Sequence, residues 1–443
     1  MTTSSVQPAR GTRDFLPADV RRRQHVIDII RGVYERYGFE PLETPAFENI
    51  ETLLGKYGEE GNQLIFKILR RGEHESTGQA DLALRYDLTV PLARVVAQHQ
   101  NELPKFFKRY QIQPVWRADR PARGRFREFY QCDIDAIGST SPIVEVEQMA
   151  AVADVLGALG FRDFAIRLNH RRLLAAILDT AGVPPHQQTD ALVALDKLDK
   201  IGPGGVTEEF ARRGLPAGAA PRLLELTGGG GATFLRAALK GSPTAGEALD
   251  TIDEIVALAA GTSAAGHLHL DTSLARGLSY YTGAIMEIAV EGIGSLGGGG
   301  RYDGLVGMFL GRDVPACGFS LGLERIIVVM TERGMFPETV GQGAVDVMVT
   351  LWNAAARSDA LALAADFRRA GLRAEVYPEP DKLGKQFKYA AGRLVPLVAI
   401  VGDDERARGE VTLKDLRSAA QESVPRLDAA AHVRRRIDSC IAH

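Results

Sequence analysis

The most informative part of the chain consists of two neighbouring stretches, Leu274-Ala-Arg-Gly-Leu-Ser-Tyr-Tyr-Thr-Gly283 and Gly294-Ser-Leu-Gly-Gly-Gly-Gly-Arg-Tyr-Asp303. The apolar and β-branched residues between them, at 284–291, predict a strand. Adjacent glycines leave room for a ligand at the backbone, arginine offers a planar donor fork, and tyrosines provide a wall with hydroxyl groups. Together the stretches predict a pocket for a small, partly anionic ligand, whereas the glycines alone would fit a flexible hinge equally well.

The composition is that of an ordinary globular protein. A length of 443 residues predicts about three domains, and 45% hydrophobic with 25% charged residues fits a soluble chain. No apolar run is long enough to span a membrane, and the polar N-terminus lacks a signal core. The cysteines Cys132, Cys317 and Cys440 are far apart, which favours a reducing, cytoplasmic setting over a disulfide framework or zinc site. A net charge of −3 neither supports nor excludes a nucleic-acid partner.

Residues 108–137 predict a strand, a basic loop and a second strand. The loop at 117–127, here called the arginine loop, holds five arginines in eleven residues. On the second strand, alternation places four residues on one face: Phe129, Gln131, Asp133 and Asp135. The arginines suit a polyphosphate or a nucleic-acid end, and the carboxylates and amide suit an ammonium group. The alternative is a solvated hairpin.

Two further segments carry weaker signals. Alternation at 82–89 predicts a strand with Arg85, Asp87 and Thr89 on one face, a pattern that alone fits a solvated surface better. Helical spacing predicts a helix from Asp19, as its cap, to Tyr37.

The middle and the end of the chain differ in texture. The segment 170–266 is rich in alanine and leucine and predicts an inserted helical subdomain. From about residue 344, alternating strands and helices predict a compact α/β module. Within it, lysines are interleaved with Phe387 and Tyr389, which suits single-stranded RNA, although a solvated helix face is the commoner cause. His267, His269 and Asp271 share a strand face, but no HExxH-type partner lies nearby, so a metal site is disfavoured.

Two common nucleotide motifs do not explain the chain. No GxxxxGK[ST] occurs, so it is not a P-loop protein. The glycines at 292, 294 and 297 match GxGxxG, and a dinucleotide site requires a helix directly after this motif. The following glycines and Arg301-Tyr-Asp303 are expected to start a helix poorly, which argues against such a site. An ATP site on antiparallel strands, clamped by arginines, fits better. A predicted helix that carries Glu324 and Arg325 would present Arg325 as a further arginine from a rigid element.

At this point the chain resembles the histidyl-tRNA synthetases. The blocks at 276–283 and 298–303 resemble the histidine-specific signature pair, and Arg117 with 126–129 resembles motif 2 of class II aminoacyl-tRNA synthetases. The block at 318–325 resembles motif 3, and the first helix with the Pro45 region resembles motif 1. Details at 87–89 and 131–135 are more similar to the eukaryotic-type branch.

The resemblance implies an α+β catalytic domain built on an antiparallel β-sheet at 1–168 and 266–335. It further implies a helical insertion domain at 169–265 and a C-terminal α/β anticodon-binding domain at 343–443. The implied activity is ATP-dependent ligation of L-histidine to its cognate tRNA through a histidyl-adenylate. The alternative within the same fold is the non-catalytic, histidine-sensing regulatory subunit of ATP phosphoribosyltransferase, and a more distant one is a general RNA-binding protein.

The resemblance also implies roles for individual residues. The phosphate-directed catalytic residues would be Arg117, Arg276 and Arg325. The α-amine of histidine would be bound by Asp87, Thr89, Gln131 and Asp135, and the imidazole pocket would be lined by Tyr280, Tyr281 and Tyr302. ATP would also meet Arg125, Gly298 and Gly299. The tRNA would meet Arg120, Arg123, Arg127, Lys385 and Lys388.

The resemblance implies a homodimer without membrane attachment, and Mg²⁺ bridging the ATP phosphates with no assigned protein ligands. One position departs from the family pattern, because Ser279 stands where most family members have aspartate. Losing this carboxylate three residues from Arg276 removes a candidate orienting contact.

Overall fold

The computed structural model describes residues 6–72, 77–275, 280–292, 294–341 and 343–441. The chain divides into two compact units, Met1–Met335 and Phe336–His443. No helix among the described residues is long and apolar enough to cross a membrane. The boundaries predicted for the helical insertion remain a prediction, because its helices belong to the same compact unit as the sheet.

The first unit contains strands and helices in the following order. The strands are β1 (Glu40–Pro41), β2 (Phe47–Asn49), β3 (Lys67–Leu69), β4 (Ala80–Leu84), β5 (Phe107–Trp116), β6 (Glu128–Ile137), β7 (Phe164–His170), β8 (Leu268–Leu270), β9 (Ala284–Val290), β10 (Gly294–Arg301) and β11 (Ala316–Gly322). The helices are α1 (Pro17–Arg36), α2 (Ile50–Leu53), α3 (Gly58–Gln63), α4 (Thr89–Gln98), α5 (Ile143–Ala158), α6 (Arg171–Thr180), α7 (Gln188–Leu195), α8 (Leu198–Arg212), α9 (Ala219–Thr227), α10 (Gly231–Ala238), α11 (Pro243–Ala259), α12 (Asp303–Leu310) and α13 (Leu323–Glu332).

Within the described residues, eight strands form one large sheet in the order β1-β5-β6-β11-β10-β9-β7-β8. Its central pairs are antiparallel, and only the edge pairs β1–β5 and β7–β8 are parallel. A smaller sheet has the order β2-β4-β3. The predicted α+β fold on an antiparallel sheet is therefore confirmed, and the predicted strand–loop–strand unit is the β5–β6 pair.

Helices α1 and α5 lie against this sheet. The Tyr34 hydroxyl of α1 donates a hydrogen bond to the Cys132 carbonyl at 3.1 Å. Gln148 of α5 donates to the Cys317 carbonyl at 2.7 Å. Helix α5 is apolar around most of its circumference, as expected of a helix buried on several sides, and each fully buried aliphatic side chain contributes about 1.5–3 kcal/mol.

Two predicted elements have different boundaries. The prediction of a strand at 82–89 was wrong for the second half of that segment, because β4 ends at Leu84 and Thr89 opens α4. Asp87 lies in the connection and accepts the Val90 N–H at 3.0 Å, which satisfies a donor of the first helical turn. Helix α1 begins at Pro17, so Asp19 lies in its first turn rather than at the cap.

The second unit is an α/β module. Its strands are β12 (Val347–Val349), β13 (Ala374–Val376), β14 (Leu397–Ile400), β15 (Glu410–Asp415) and β16 (Gln421–Pro425). Its helices are α14 (Glu338–Gly341), α15 (Arg357–Arg369), α16 (Leu383–Gly392), α17 (Asp403–Arg408) and α18 (Ala429–Ile441). The sheet order is β13-β12-β14-β15-β16, with β12 parallel to both neighbours and the last two pairs antiparallel. The predicted module is confirmed, although β16 was missed.

Candidate functional site

The site lies on one face of the large sheet, along a row of residues that cross-strand pairing brings together. Asp135 of β6 is opposite Arg109 of β5 and Gly318 of β11, and Gly318 is opposite Gly300 of β10. A Cβ on Gly318 would lie 1.9 Å from Asp135 Oδ1, so the carboxylate rests on bare backbone. The row therefore combines a buried charge pair with a strip of sheet that carries no side chains.

Buried carboxylates dominate this face. Asp87, Asp133 and Asp135 are each at most 2% exposed. Burial raises the pKa of all three, and the guanidinium of Arg109 opposes the rise at Asp133 and Asp135. Arg109 Nη2 lies 2.7 Å from Asp135 Oδ2, although that oxygen accepts no well-aligned hydrogen bond from any residue that the structure describes. A cationic ligand would favour the ionised form of these carboxyl groups, so the cluster suits such a ligand.

Three tyrosines close one side of this cluster. The Tyr280 hydroxyl donates to Asp87 Oδ2 at 3.2 Å, and the Tyr302 hydroxyl donates to Asp135 Oδ1. The Tyr280 ring meets Tyr281 and Tyr302 edge-on, with ring centroids 5.2 and 5.8 Å apart. Behind them, α4 and α12 pack together through a shared apolar cluster that fixes the rings. The tyrosines and acidic residues predicted for histidine binding are therefore brought together.

The remaining predicted histidine ligands also lie at this cluster. Gln131 donates from Nε2 to Ser320 Oγ at 2.7 Å, while its buried Oε1 has no hydrogen-bond partner among the described residues. Asp133 Oδ1, on the same strand face, likewise has no such partner there. Thr89 opens α4 beside Asp87 and interacts with the Tyr280 hydroxyl. Oxygen acceptors that are buried without donors are expected where a ligand supplies the donors.

Sequence reasoning missed three residues of this cluster. Arg109 and Ser320 are cross-strand neighbours of Asp135 and Asp133, so a correct pairing of β5, β6 and β11 would have found them. Tyr57, whose hydroxyl donates to Asp87 Oδ1 at 3.0 Å, comes from a loop before α3 that carries no pattern.

Arg117 begins the arginine loop, and Arg325 lies on α13. Arg117 donates from Nε to the Tyr86 carbonyl at 3.0 Å, and its guanidinium carbon lies 4.3 Å from the Tyr86 ring centroid. Arg325, on α13, donates to the Ser295 carbonyl of β10. A Cβ on Gly124 would be 3.4 Å from Arg325 Cγ, so the tip of the arginine loop passes beside Arg325. Two of the three arginines predicted to contact phosphate therefore lie at the arginine loop, one as its first residue and the other beside its tip.

The third, Arg276, lies outside the described residues, as does Ser279. Gly298 and Gly299 are inside β10 and pair with both β9 and β11. The expectation that these glycines lead into no helix was wrong, because α12 starts at Asp303. A dinucleotide fingerprint still does not fit, since its glycines occupy the turn after a strand rather than the strand itself.

The residues predicted to meet tRNA are exposed or half-buried. Arg120 and Arg125 are exposed on the arginine loop, Arg123 pairs with Glu332 of α13, and Arg127 donates to the Asp119 carbonyl at 3.1 Å. In the second unit, Lys388 is exposed and Lys385 lies 2.8 Å from Asp381 Oδ2.

That 267–271 holds no metal stays a prediction, and two of the three side chains there contact other residues. His267 stacks on Phe164 with ring centroids 4.0 Å apart, and Asp271 pairs with Arg167. Among the described residues, no group of three or more His, Cys, Asp or Glu side chains is arranged to hold a metal ion.

The chain matches known proteins over nearly its whole length. The family model of histidyl-tRNA synthetase matches residues 11–326, and the model of the anticodon binding domain matches residues 345–436. A histidine–tRNA ligase of Gloeobacter violaceus is 41% identical, with 97% of this chain and 98% of that protein covered. One of Porphyromonas gingivalis is 42% identical, with 96% and 98% covered.

A solved structure gives the same result. The crystal structure of histidyl-tRNA synthetase from Nostoc sp. PCC 7120 is similar with a TM-score of 0.80 at 31% identity, covering 98% of this chain and 99% of that one. Because the family model matches well over half of the chain and the relatives exceed 40% identity, the chain belongs to the histidyl-tRNA synthetase family.

Proposed function

We propose that the protein joins L-histidine to its tRNA in two steps, through a histidyl-adenylate. The observation that carries this proposal is the buried acidic cluster of Asp87 and Asp135, walled by tyrosines and flanked by Arg117 and Arg325. An ammonium site beside phosphate-directed cations is what the activation of an amino acid by ATP requires.

Histidine would enter with its ammonium group toward the carboxylates. Asp87 and Asp135 would accept from the ammonium, together with the hydroxyl of Thr89 and with Gln131 Oε1, to which no described residue donates. Burial raises the pKa of both carboxyls, and the charge of the bound ammonium would lower it again. The imidazole would lie against Tyr280, Tyr281 and Tyr302, because their hydroxyls can hydrogen-bond a ring nitrogen. A polar pocket of this kind rejects analogues that leave its groups unpaired.

The first step needs positioning and charge neutralisation rather than a base. The histidine carboxylate is ionised at neutral pH, so it can attack the α-phosphorus of ATP directly and release pyrophosphate. Arg117 would hold the α-phosphate and Arg325 the γ-phosphate end, with Arg125, Gly298 and Gly299 also meeting ATP. Arginine stays charged at any working pH and binds phosphate through two parallel donors. Mg²⁺ bound with ATP would further neutralise phosphate charge, and no residue of this chain is proposed to hold it.

Arg276 would complete the site between the α-phosphate and the histidine carboxylate. We expect Arg276→Ala to lower the adenylation rate about 10²–10³-fold, as removal of one preorganised donor does. A loss of under about tenfold in pyrophosphate exchange would contradict this role.

Each of the two units would contact the tRNA. Arg120, Arg123 and Arg127 of the arginine loop would meet the acceptor end, and Lys385 and Lys388 would contribute to anticodon binding in the second unit. In the second step the terminal ribose hydroxyl would attack the adenylate carbonyl, pass its proton to a phosphate oxygen of the adenylate, and displace AMP. Arg123 would have to exchange Glu332 for a phosphate, which its exposed position allows.

Two further proposals concern the state of the protein. We place it in the cytoplasm, because Cys132 and Cys317 are buried free thiols of the kind that a reducing compartment preserves. We also propose a homodimer built on the segment around Pro45, because Phe47 in β2 is half exposed beside it.

Charging of tRNA with labelled histidine by the full-length protein tests the proposal. We expect ATP-dependent charging that Asp135→Asn reduces strongly at saturating tRNA. The regulatory-subunit alternative is not favoured, since full-length histidine–tRNA ligases match the chain. A protein of that kind would bind histidine without charging any tRNA.

A further inference from the structure

The N-terminal segment 9–16, here called the strap, is bound to the end of the arginine loop. The Gly11 carbonyl accepts the Arg127 N–H at 2.8 Å, and the Arg127 carbonyl in turn accepts the Arg117 N–H at 2.9 Å. Two consecutive hydrogen bonds therefore link the strap, through Arg127, to the backbone of Arg117, the residue that begins the loop.

Gly11 fits this place only as glycine. Its φ is +88°, in the left-handed region, and an added Cβ would lie 2.7 Å from Arg127 Cγ and 3.0 Å from Pro121 Cγ. The backbone of the strap thus packs directly on two side chains of the arginine loop, those of Pro121 and Arg127. Any side chain at residue 11 would push the strap and the loop apart.

Arg13 forms the second attachment. Its guanidinium carbon lies 3.3 Å from the Phe126 ring centroid, a stacking contact with the end of the arginine loop. Its Nη2 also lies 4.0 Å from Glu324 Oε1. Glu324 is 3% exposed and also accepts Arg23 Nη1 at 2.8 Å and the Tyr130 N–H at 2.9 Å. Because Glu324 precedes Arg325, the strap connects the loop to the start of α13.

We propose that the strap positions the arginine loop over the ATP-binding face, with Gly11 and Arg13 as positioning residues that touch no substrate. The inference rests on the proposed adenylation function. It adds that the loop's working conformation depends on a segment that precedes α1. Loss of the strap should therefore affect ATP more than histidine, whose carboxylate and tyrosine ligands the strap does not contact.

Gly11→Ala in the full-length protein tests this, with Gly182→Ala as the matched control. Gly182 has a similar φ of +82°, but an added Cβ would meet nothing within 4 Å. Both variants carry the same backbone strain, and only Gly11→Ala displaces the loop. In histidine-dependent ATP–pyrophosphate exchange, we expect Gly11→Ala to raise the KM for ATP about tenfold and to leave the KM for histidine within about twofold.

A second variant keeps the test decisive if Gly11→Ala folds poorly. Arg13→Lys retains the charge near Glu324 but loses the planar stack on Phe126, and we expect the same selective rise in KM for ATP, of about threefold. Equal rises in both KM values, or a Gly11→Ala variant that matches Gly182→Ala, would overturn the inference. Absence of exchange in the wild-type protein would instead contradict the proposed function.

Discussion

Arg109 and Asp135 form an ion pair across β5 and β6 in which Nη2 lies 2.7 Å from Oδ2 and both side chains are at most 3% exposed. Removing one partner of a buried pair leaves an uncompensated buried charge, which is strongly destabilising. We expect Arg109→Met to lower the free energy of unfolding by about 3–5 kcal/mol, measured by urea denaturation.

The double variant Arg109→Met/Asp135→Asn provides the control for this pair. It removes both charges, so it should recover at least about 2 kcal/mol of the loss caused by Arg109→Met alone. If the losses in free energy of unfolding of the two single variants simply added up in the double variant, this would contradict a stabilising interaction between Arg109 and Asp135.

Gly318 is expected to be essential because Asp135 lies on it. A Cβ at Gly318 would come within 1.9 Å of Asp135 Oδ1, whereas a Cβ at Gly322, on the same strand, would approach only the Leu296 carbonyl, at 3.4 Å. We expect Gly318→Ala to lower kcat/KM for histidine about 100-fold, since it displaces a substrate ligand by more than an ångström. Gly322→Ala should stay within about fivefold. Similar losses in the two variants would contradict the placement of Asp135.

The stability of the protein should depend on pH through Asp133. Burial raises the pKa of this carboxyl from 3.8 to about 7, with Arg109 opposing the rise and Asp135 adding to it. A carboxyl whose folded pKa exceeds its unfolded value destabilises the fold when it ionises, so stability falls as pH rises through this range.

Asp133→Asn removes this dependence. Between about pH 5.5 and 7.5, we expect the wild-type free energy of unfolding to fall by about 1–2 kcal/mol more than that of Asp133→Asn. Chemical denaturation at the two pH values measures the difference, and parallel curves would show that Asp133 is ionised throughout.

Arg167 of β7 connects helix α8 with β9 and with Asp271, which follows β8 and precedes Arg276 in the chain. Its guanidinium contacts Asp271, Asp199 of α8 at 3.0 Å and Glu287 of β9 at 3.3 Å. Although burial opposes it, hydrogen bonding from Ser273 and the charge of Arg167 hold the pKa of Asp271 below its usual value. We expect Arg167→Met to lower the free energy of unfolding by about 2–3 kcal/mol at neutral pH, after allowance for partial exposure.

Arg236 supplies the matched control for Arg167. It also contacts two aspartates, Asp250 and Asp253, but on the surface between α10 and α11. Arg236→Met should cause no comparable loss, because exposed pairs are screened by water and salt. Below the folded pKa of Asp271 its contribution is lost, so the difference between the two variants should shrink in acid.

Much of the site could be predicted because it lies on strands with clear alternation. The residues of β6, from Gln131 to Asp135, share one face as the period of a strand requires, and the arginine loop follows from its composition. The two signature stretches carried the family resemblance directly. These features are local, and local patterns are what a single sequence records.

The remainder depended on packing between distant segments. Arg109 and Ser320 join the cluster only through strand pairing, and Gly11 reaches Arg127 across more than a hundred residues. The false strand at 85–89 arose because Arg85, Asp87 and Thr89 alternate in sequence. In the structure, Asp87 instead satisfies the first turn of α4, and the buried Arg85 guanidinium donates to the carbonyls of Thr44 and Pro45.

The central claim is that the arginine-flanked acidic cluster activates histidine with ATP, and amino-acid-dependent ATP–pyrophosphate exchange tests it most directly. We predict exchange with L-histidine, little with other amino acids, and a loss of about 10²–10³-fold in Arg117→Ala. Absence of exchange with histidine, or equal exchange with another amino acid, would contradict the account.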